Sequence, residues 1–238
     1  MDRVVLLPGY RVFVLTGAGV SAESGLPTFR AEDGLWAGYR LSEVCTPEAW
    51  QRNPGEVWKF YAARREACTR AEPNAAHFAL AELEKKLNGR YLLCTQNVDD
   101  LHERAGSRRM VHMHGELGKS RCGNECGREP VEDWRVYASL DEVGRCACGA
   151  RLRPHIVFFG EAPLEMDTIL EEIGRATLMV VVGTSGSVYP AAGFVSRARR
   201  KGARTAYVGP EAPLNAHAFT QMVLGKAGEV LPELFEVQ

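Results

Sequence analysis

The sequence predicts an α/β fold in which helices cover both faces of a parallel sheet. Short apolar runs rich in Val, Leu, Ile and aromatic residues recur along the 238 residues, and segments with helical periodicity separate them. A chain of this length can bury a sizeable core without disulfide bonds. The predicted strands are residues 11–16, 91–95, 110–113, 156–159, 178–183 and 204–208.

Helix signals lie between these strands. The clearest predicted helix begins after Asn74, a favourable N-cap residue, and stops at Asn88-Gly89. Its apolar face is formed by Ala76, Leu80, Leu83 and Leu87. Three further helices are predicted: one that begins near Thr46-Pro47, where a cap residue precedes a proline, one over residues 55–69 and one over residues 191–201.

Two segments interrupt the alternation of strands and helices, and we predict that both are insertions. Residues 31–72 are helical and loop-like, whereas residues 119–153 are rich in turn formers and hold four of the seven cysteines. The remaining segments, residues 1–30, 73–118 and 154–238, are predicted to form the main domain.

Charge and apolar content exclude several classes of partner. With 29 basic and 30 acidic residues, the chain shows no electrostatic sign of a nucleic acid or an anionic membrane as its main partner. Residues 1–8 lack the basic and long apolar regions of a signal peptide. The apolar run at residues 178–182 has the length of a strand, far short of a bilayer span. We therefore predict a cytoplasmic location.

The clustered cysteines suggest a metal site. Cys122-x₃-Cys126 and Cys146-x-Cys148 form two close pairs, the set of four thiolates that Zn²⁺ prefers in closed structural sites. A redox pair or four free thiols are the alternatives. A metal would explain how a turn-rich segment with few apolar residues can fold. Because four protein ligands leave no open position, we expect this zinc to be structural.

A glycine-rich turn follows the first predicted strand of the sheet. Gly17-Ala18-Gly19 fits a loose form of the dinucleotide fingerprint, in which small residues let backbone N–H groups approach a pyrophosphate. On its own, the turn is equally compatible with a tight strand-to-helix connection that binds no ligand.

Polar residues follow the ends of three predicted strands. They are Gln96-Asn97-Val98-Asp99, His114-Gly115 and Gly183-Thr184-Ser185. Ligands of open α/β sheets bind at the carboxyl ends of strands, so we expect these segments to converge. His114 is the favoured catalytic histidine, because it ends a strand and the following glycine leaves room. We expect no carboxylates that would complete a metal site with His112 and His114.

Tyr61 and Arg64 lie three residues apart on a predicted helix and therefore share a face. Together they could hold an anionic group, the guanidinium through a forked ion pair and the phenol through a hydrogen bond. An ordinary solvated helix face is the alternative, and the neighbouring Arg65 fits that interpretation.

Taken together, these segments resemble the sirtuins, the NAD-dependent protein lysine deacylases, over nearly the whole chain. Five blocks carry the resemblance, in the family's order: residues 17–30 (GAGVSAESGLPTFR), 95–102 (TQNVDDLH), 112–115 (HMHG), 152–161 (LRPHIVFFGE) and 183–185 (GTS).

The resemblance implies a Rossmann-like NAD-binding domain and a small domain made of a helical module and a zinc ribbon, with NAD and acyl-lysine meeting between them. His114 would act as general base on a ribose hydroxyl, and Asn97 and Asp99 would complete the catalytic set. Contacts with NAD are implied for Gly17, Ala18, Gly19, Ser24, Phe29, Arg30, Trp36, Gln96, Asn97, Val98, Asp99, Gly183, Thr184, Ser185, Gly209 and Ala227.

The resemblance also implies how the substrate binds. A peptide would add as a strand to Val157, Phe158, Phe159 and Gly160. The Tyr61-x-x-Arg64 pair resembles that of the subgroup that removes succinyl and malonyl groups, where it binds the distal carboxylate.

Two features depart from the family's pattern. The usual C-x₂-C pairs are C-x₃-C and C-x-C here, which bears on the zinc geometry, and no asparagine follows the late strand at Tyr207-Val208-Gly209-Pro210.

The predicted function is therefore NAD-dependent removal of acyl groups from protein lysines, which releases nicotinamide and O-acyl-ADP-ribose. A nicotinamide-dependent oxidoreductase is the alternative suggested by the glycine turn alone, but no second strand ends in an acidic ribose ligand. A non-enzymatic zinc-ribbon module is a third possibility, although the acidic character of residues 119–153 argues against nucleic acid as its partner.

Overall fold

In the computed structural model of this protein, residues 3–28, 35, 36 and 38–238 are described, Leu35 and Trp36 by their backbone alone. Within these ranges the strands are β1 (Val4–Leu6), β2 (Val12–Thr16), β3 (Leu35–Trp36), β4 (Tyr39–Arg40), β5 (Tyr91–Thr95), β6 (Met110–His112), β7 (Gly115–Cys122), β8 (Val131–Glu132), β9 (Leu152–Ile156), β10 (Leu178–Val182), β11 (Arg204–Gly209), β12 (Gln221–Leu224) and β13 (Phe235–Val237). The α-helices are α1 (Leu41–Val44), α2 (Pro47–Arg52), α3 (Pro54–Arg70), α4 (Ala75–Leu87), α5 (Leu101–Arg104), α6 (Met166–Arg175), α7 (Ala191–Arg200) and α8 (Ala227–Leu234).

The largest sheet is parallel, with six strands in the order β12-β11-β10-β2-β5-β6. Every residue of β2, β5 and β10 is buried, as expected for strands that are covered on both faces. Along β2, Val12 and Val14 pack towards α4 and α8, whereas Phe13 and Leu15 pack towards α6 and α7. The predicted α/β, Rossmann-like class is confirmed.

Helix α4 begins and ends where the sequence predicts. The Asn74 side chain accepts a hydrogen bond from the Ala76 N–H at 2.9 Å and caps the first turn. At the other end, Asn88 adopts the left-handed conformation with φ of 43°. The predicted apolar face is buried against the sheet.

A second, antiparallel sheet has the order β8-β7-β9, and helices α1 to α3 pack against it. The predicted strand over residues 156–159 is wrong. Strand β9 ends at Ile156, pairs with β7 and belongs to this second sheet. Since β9 is an edge strand, it tolerates Pro154, which has no N–H to donate.

Other parts of the described chain add elements that the sequence patterns did not predict. Strand β12 extends the edge of the parallel sheet, and helices α6 and α8 cover its two faces. Strand β7 runs across the predicted boundary between residues 118 and 119. None of the described helices is long and apolar enough to cross a membrane.

Candidate active site at the strand ends

The carboxyl ends of the central strands lie side by side. Thr16, the last residue of β2, is paired with Val182 of β10 on one side and with Thr95 of β5 on the other, and Thr95 is paired with His112 of β6. Since the three polar segments follow these residues directly, the register of the sheet brings them to one edge.

The glycine turn is packed backbone to backbone against the end of β10. Gly19 donates its N–H to the Gly183 carbonyl at 2.8 Å, and Gly17 donates to Val182 at 2.9 Å. A Cβ atom on Gly19 would lie 2.7 Å from the Gly183 Cα, and one on Gly17 would lie 2.9 Å from the Gly183 oxygen. Both positions therefore require glycine for packing alone. The absence of side chains also leaves the space that a dinucleotide phosphate needs.

Ser21 joins the glycine segment to the two polar residues that follow β5. Its hydroxyl donates to Asp99 Oδ2 and accepts from Asn97 Nδ2, each at 3.1 Å. The Asn97 N–H donates to the Thr95 hydroxyl at 3.0 Å, which fixes the backbone of the turn. Asn97 and Asp99 are each only 7% exposed. The predicted site residues did not include Ser21, although it lies within the glycine-rich block.

Burial changes the acidity of Asp99. It raises the pKa of this carboxyl to about 6, because the hydrogen bonds from the Leu101 N–H and the Ser21 hydroxyl compensate only part of the desolvation. Asp99 therefore titrates close to neutral pH, which is common for carboxylates in active sites.

His114 follows β6 and is held in one tautomer. Its Nδ1 lies 3.1 Å from the backbone oxygen of Gln96. A carbonyl oxygen only accepts hydrogen bonds, so Nδ1 carries the proton and Nε2 presents a lone pair. Burial lowers the pKa of His114, so the ring is neutral at pH 7. A neutral imidazole with a fixed lone pair is ready to act as a general base.

Gln96 bridges two strand ends, since its side-chain amide donates to the Thr184 hydroxyl at 3.2 Å. Beyond it, Ser185 is exposed and shares a 2.7 Å hydrogen bond with the Ser187 hydroxyl. Val98 is tied to the second sheet, because its carbonyl accepts the Leu117 N–H at 2.8 Å.

The remaining predicted NAD contacts are spread around this edge. The Ser24 hydroxyl accepts a hydrogen bond from the Asn74 side chain at 3.0 Å, beside the start of α4. Gly209 is the buried last residue of β11. Ala227 is the buried first residue of α8, and the next N–H, that of Gly228, donates to Glu23 Oε2 at 2.7 Å.

Three of the predicted contacts cannot be located as side chains. Phe29 and Arg30 lie outside the described residues, and Trp36 is described by its backbone alone, in β3.

Next to the site, His112 lies among carboxylates. Its Nδ1 donates to the Asn97 carbonyl at 3.0 Å, and its Nε2 lies 2.5 Å from Glu103 Oε1. The ligand atoms of His112, Glu103 and Glu116 all lie within 4.8 Å of one another. The sequence did not indicate these two carboxylates beside His112, and the group that they form with it does not include His114. Burial disfavours the charged ring, but the pair with Glu103 outweighs it and raises the pKa of His112.

Tyr61 and Arg64 lie on α3 in the core shared by the helices and the second sheet. Tyr61 is fully buried, and its hydroxyl lies 3.3 Å from the Cys45 sulfur. The Arg64 guanidinium stacks on the Phe60 ring, with 3.3 Å from Cζ to the ring centroid. Burial lowers the pKa of Arg64 to about 10, so it remains a cation at neutral pH. The Tyr61 ring also contacts Phe158, with 6.2 Å between ring centroids.

The predicted substrate segment leaves the second sheet directly beside His114. Val157 donates its N–H to the His114 carbonyl at 2.9 Å, and Phe159 donates to the Cys45 carbonyl at 2.8 Å. The side chain of Phe158 is buried, whereas Phe159 and Gly160 are exposed. Glu161 bonds to both backbone groups of Phe158: its carboxylate accepts the Phe158 N–H, and its N–H donates to the Phe158 carbonyl.

At the end of β7, the four paired cysteines form one cluster. The sulfur atoms of Cys122, Cys126, Cys146 and Cys148 all lie within 4.8 Å of one another. Tetrahedral zinc with Zn–S distances of about 2.3 Å places its sulfur ligands about 3.8 Å apart. The C-x₃-C and C-x-C spacings are therefore compatible with a structural Zn²⁺. The closed set of four thiolates leaves no position for substrate.

One buried ion pair connects α3 to the zinc-binding unit, which we define as residues 115–156, from the start of β7 to the end of β9. The Arg65 guanidinium, which is 0% exposed, donates to backbone oxygens of the unit, including that of Leu117 at 2.8 Å, and lies 3.6 Å from Asp133. Asp133 also accepts hydrogen bonds from Ser120 at 2.6 Å and Tyr137 at 2.7 Å. Arg65 is therefore not part of a solvated helix face, and this aspect of the sequence interpretation is wrong.

The chain resembles known proteins over nearly its whole length. The NAD-dependent protein deacylase of Caulobacter vibrioides is 53% identical over 232 residues, which is 95% of each chain. The protein of the same name from Salmonella typhimurium is 49% identical and covers 99% of this chain and 87% of its own.

Solved structures agree with these relatives. A Sir2 homologue in complex with NAD has a TM-score of 0.85 at 43% identity, covering 94% of this chain and 87% of its own. A Sir2 protein bound to an acetylated peptide has a TM-score of 0.80 at 30% identity, with coverages of 93% and 90%. The model of the Sir2 family matches residues 17–190. The chain belongs to the Sir2 family.

Proposed function

We propose that this protein is an NAD-dependent protein-lysine deacylase that transfers the acyl group to ADP-ribose and releases nicotinamide and O-acyl-ADP-ribose. The observation that carries the proposal is the geometry at His114. A neutral imidazole with its lone pair on Nε2 lies at the same sheet edge as Asn97, Asp99 and the glycine turn. The deacylase names of the bacterial relatives support this assignment.

The strand ends fit a dinucleotide. NAD, when bound, supplies a ribose carbon from which nicotinamide departs. Gly17 and Gly19 present no side chains, and Thr184 and Ser185 add hydroxyls at the end of the neighbouring strand. We assign the phosphates to this edge and the nicotinamide ribose to the pocket of Gln96, Asn97 and Asp99.

His114 accepts a proton in this proposal. The Gln96 carbonyl holds the Nδ1 proton in place, so Nε2 is the nitrogen that takes the proton from a ribose hydroxyl. Asn97 is oriented by Ser21 through its side chain and by His112 through its backbone carbonyl. Asp99 supplies a carboxylate that titrates near neutral pH.

For the substrate, we propose strand addition along residues 157–160. Phe159 and Gly160 are exposed, and the bond from Val157 to the His114 carbonyl would set an acyl-lysine beside the base. Glu161 bonds to both backbone groups of Phe158, and the N–H groups of Val157 and Phe159 donate to His114 and Cys45. The added strand would therefore pair with the Val157 carbonyl and with the backbone of Gly160.

For the acyl group, we propose that Tyr61 and Arg64 bind the distal carboxylate of succinyl or malonyl chains. The guanidinium is half-buried and charged, so it would interact strongly with an anion in this apolar core. Acetyl-lysine lacks this carboxylate and remains a substrate. The predicted cytoplasmic location stays a prediction.

The decisive experiment incubates the zinc-loaded protein with NAD and matched acetyl-, malonyl- and succinyl-lysine peptides, with mass spectrometry of all products. We expect free lysine peptide, nicotinamide and O-acyl-ADP-ribose in equal amounts. His114→Ala should abolish turnover and leave the circular dichroism spectrum unchanged. If no acyl group leaves any peptide while the protein is folded, the proposal fails.

A second experiment tests whether Tyr61 and Arg64 bind the distal carboxylate of the acyl group. Arg64→Met should reduce succinyl removal more than tenfold and acetyl removal little, since only the succinyl chain carries the partner charge. Lys59→Met changes an exposed residue on the same helix and serves as the matched control. An equal loss of both activities in Arg64→Met would instead indicate a structural role.

A further inference from the structure

A basic cluster lies at the end of α7, on the opposite edge of the parallel sheet from the proposed active site. Helix α7 runs from the carboxyl end of β10 to the amino end of β11. Its ten residues span about 15 Å. Whatever binds at its last turn therefore does not compete with NAD for the strand ends.

The cluster is a local departure from a chain of balanced charge. Residues 197–204 contain five basic side chains and no acidic one, whereas the whole chain carries a net charge of −1. The five are Arg197, Arg199, Arg200, Lys201 and Arg204, and all are exposed. Among the described residues, no carboxylate forms an ion pair with any of them, although sixteen ion pairs occur elsewhere.

Two of these arginines line a cavity of about 280 Å³, together with Ser196, His217 and Ala218. Two hydrogen bonds fix its walls. Arg199 Nη1 donates to the His217 carbonyl at 2.7 Å, and the Asn215 side chain donates to the Ala192 carbonyl at 2.9 Å. The segment of His217 is thus tied to both ends of α7.

The lining groups suit a phosphate-type anion. Arg199 uses one of its five N–H groups for the His217 carbonyl, and its other N–H groups can donate to an oxyanion. The same is true of three further groups that line the cavity: the Arg200 guanidinium, the Ser196 hydroxyl and the His217 ring. The volume lies just below the usual range for small-molecule sites, about 300–1,000 Å³. It is generous for a single phosphate and suits two or three linked ones.

Helix electrostatics account for only part of this arrangement. The negative end of the helix dipole favours cations in the last turn. That effect falls off within one turn and requires neither a cavity nor a serine and a histidine opposite the arginines. Five neighbouring cations without carboxylate partners also repel one another, so an anion bound among them would relieve that repulsion.

We propose that this cavity binds an oligophosphate group, free or carried on a small molecule, through Arg199 and Arg200. The site is separate from the deacylase centre, so its occupancy can be measured without turnover. Ser196 and His217 contribute neutral or charged hydrogen bonds, and Arg197, Lys201 and Arg204 raise the local positive potential.

The test is calorimetric titration of the full zinc-loaded chain with inorganic tripolyphosphate. ADP-ribose is left out, because its two linked phosphates could occupy the same cavity. We expect one binding event that depends on Arg199 and Arg200. Arg200→Gln and the double variant Arg199→Gln/Arg200→Gln should weaken binding about tenfold or more, because a charge-assisted contact is lost. Arg197→Gln removes an exposed charge of the same turn that does not line the cavity, and it should change the affinity less than about threefold.

Three results would overturn the proposal. The first is an equal loss of tripolyphosphate affinity in Arg197→Gln and Arg200→Gln, which would mean that the anion is attracted by the overall positive potential and not held at a defined site. The second is equally tight binding of sulfate at matched ionic strength. The third is tighter binding of a single-stranded oligonucleotide that depends on the same two arginines, which would assign the surface to nucleic acid. The Arg200 side chain makes no hydrogen bond within the described residues, so its variant should melt at the temperature of the parent. A loss of binding in this variant can therefore be interpreted.

Discussion

Asp99 and Asp133 are both buried, at 7% and 4% exposure, yet their pKa values move in opposite directions. Asp99 lies at the proposed active site, and its pKa rises to about 6. Asp133 lies in the zinc-binding unit. Burial alone would raise its pKa too, but hydrogen bonds from Arg135, Ser120 and Tyr137 bring it down to about 2.

The difference lies in the partners and not in the degree of burial. Asp133 accepts three side-chain hydrogen bonds and lies beside the Arg65 guanidinium, so its negative charge is compensated. Asp99 has one hydroxyl and one backbone N–H as partners, and no cation of the described chain forms an ion pair with it. The first arrangement stabilises the fold, whereas the second leaves a carboxylate that can exchange a proton at neutral pH.

The largest expected effect comes from removal of the metal. If the zinc-binding unit serves to stabilise the fold, a chelator should disorder β7 to β9 and expose the apolar core that they share with α3. Deacylation should then be abolished. Structural zinc contributes several kcal/mol to folding in small metal-bound units. Near-UV circular dichroism would follow the loss, and re-added Zn²⁺ should restore the spectrum. An unchanged spectrum in the metal-free protein would contradict the structural role.

Next in size is Arg65→Met. This change leaves the Asp133 carboxylate buried without its central cation and removes donors from three backbone carbonyls, so we expect a loss of about 3–5 kcal/mol in the free energy of unfolding. Urea unfolding measures it. Arg70→Met, which removes an exposed cation from the same helix, should cost less than about 0.5 kcal/mol. Equal stability of the two variants would mean that the charge of Asp133 does not depend on Arg65, and the proposed difference between Asp133 and Asp99 would not hold.

Asp99→Asn should have the opposite effect on stability. Because the folded pKa of about 6 exceeds the unfolded value of about 3.9, the stability that Asp99 contributes is fully present below about pH 4 and is lost as the pH rises through 6. The variant should therefore gain stability relative to the parent between pH 4 and pH 7, by at most about 3 kcal/mol, while deacylation falls.

Thermal melting at pH 4, 5, 6 and 7 measures this pH dependence. The difference in melting temperature between Asp99→Asn and the parent should grow with pH. A difference that is constant or shrinks with pH would show that Asp99 is compensated in the way that Asp133 is.

The smallest expected effect is that of Glu103→Gln. It removes the carboxylate that raises the pKa of His112 next to Asn97, so this pKa should fall and the pH profile of deacylation should shift. Since the Glu103 side chain is one-third exposed, the cost in stability should stay below about 1 kcal/mol. Glu132 is an exposed carboxylate that lines a second cavity together with Glu103 and His112. Glu132→Gln is therefore the matched control and should leave the profile unchanged.

Sequence patterns correctly predicted those elements whose position depends on neighbouring residues in the chain. The strands at residues 91–95 and 178–182 are continuous apolar runs, and Asn74 and Asn88 mark the ends of α4, so each could be located from its own residues. The convergence of the segments after Thr95 and Val182 followed from the rule that parallel strands present their carboxyl ends at one edge.

Long-range pairing explains what was missed. Residues 156–159 have the composition of a strand, but β9 begins at Leu152 and ends at Ile156, and it includes Arg153, whose charge is buried beside Glu161. Arg65 reads as a surface residue because its partner, Asp133, is distant in sequence. Glu116 approaches His112 only through the folding of the second sheet. No periodicity along the chain encodes such contacts.

The backbone contact of Gly17 and Gly19 with Gly183 constrains how this protein can change over evolutionary time. A Cβ atom on Gly17 or on Gly19 would lie within 3.0 Å of the Gly183 backbone, and one on Gly183 would lie 2.6 Å from the Gly19 carbonyl carbon. Because glycine is already the smallest residue, no change at one of these positions can make room for an alanine at another. In a mutational scan, substitutions at the three positions should be equally poorly tolerated, although Gly183 is distant in sequence from the other two. A substitution at any one of them would disrupt both the packing of the glycine turn against the end of β10 and the proposed phosphate-binding site.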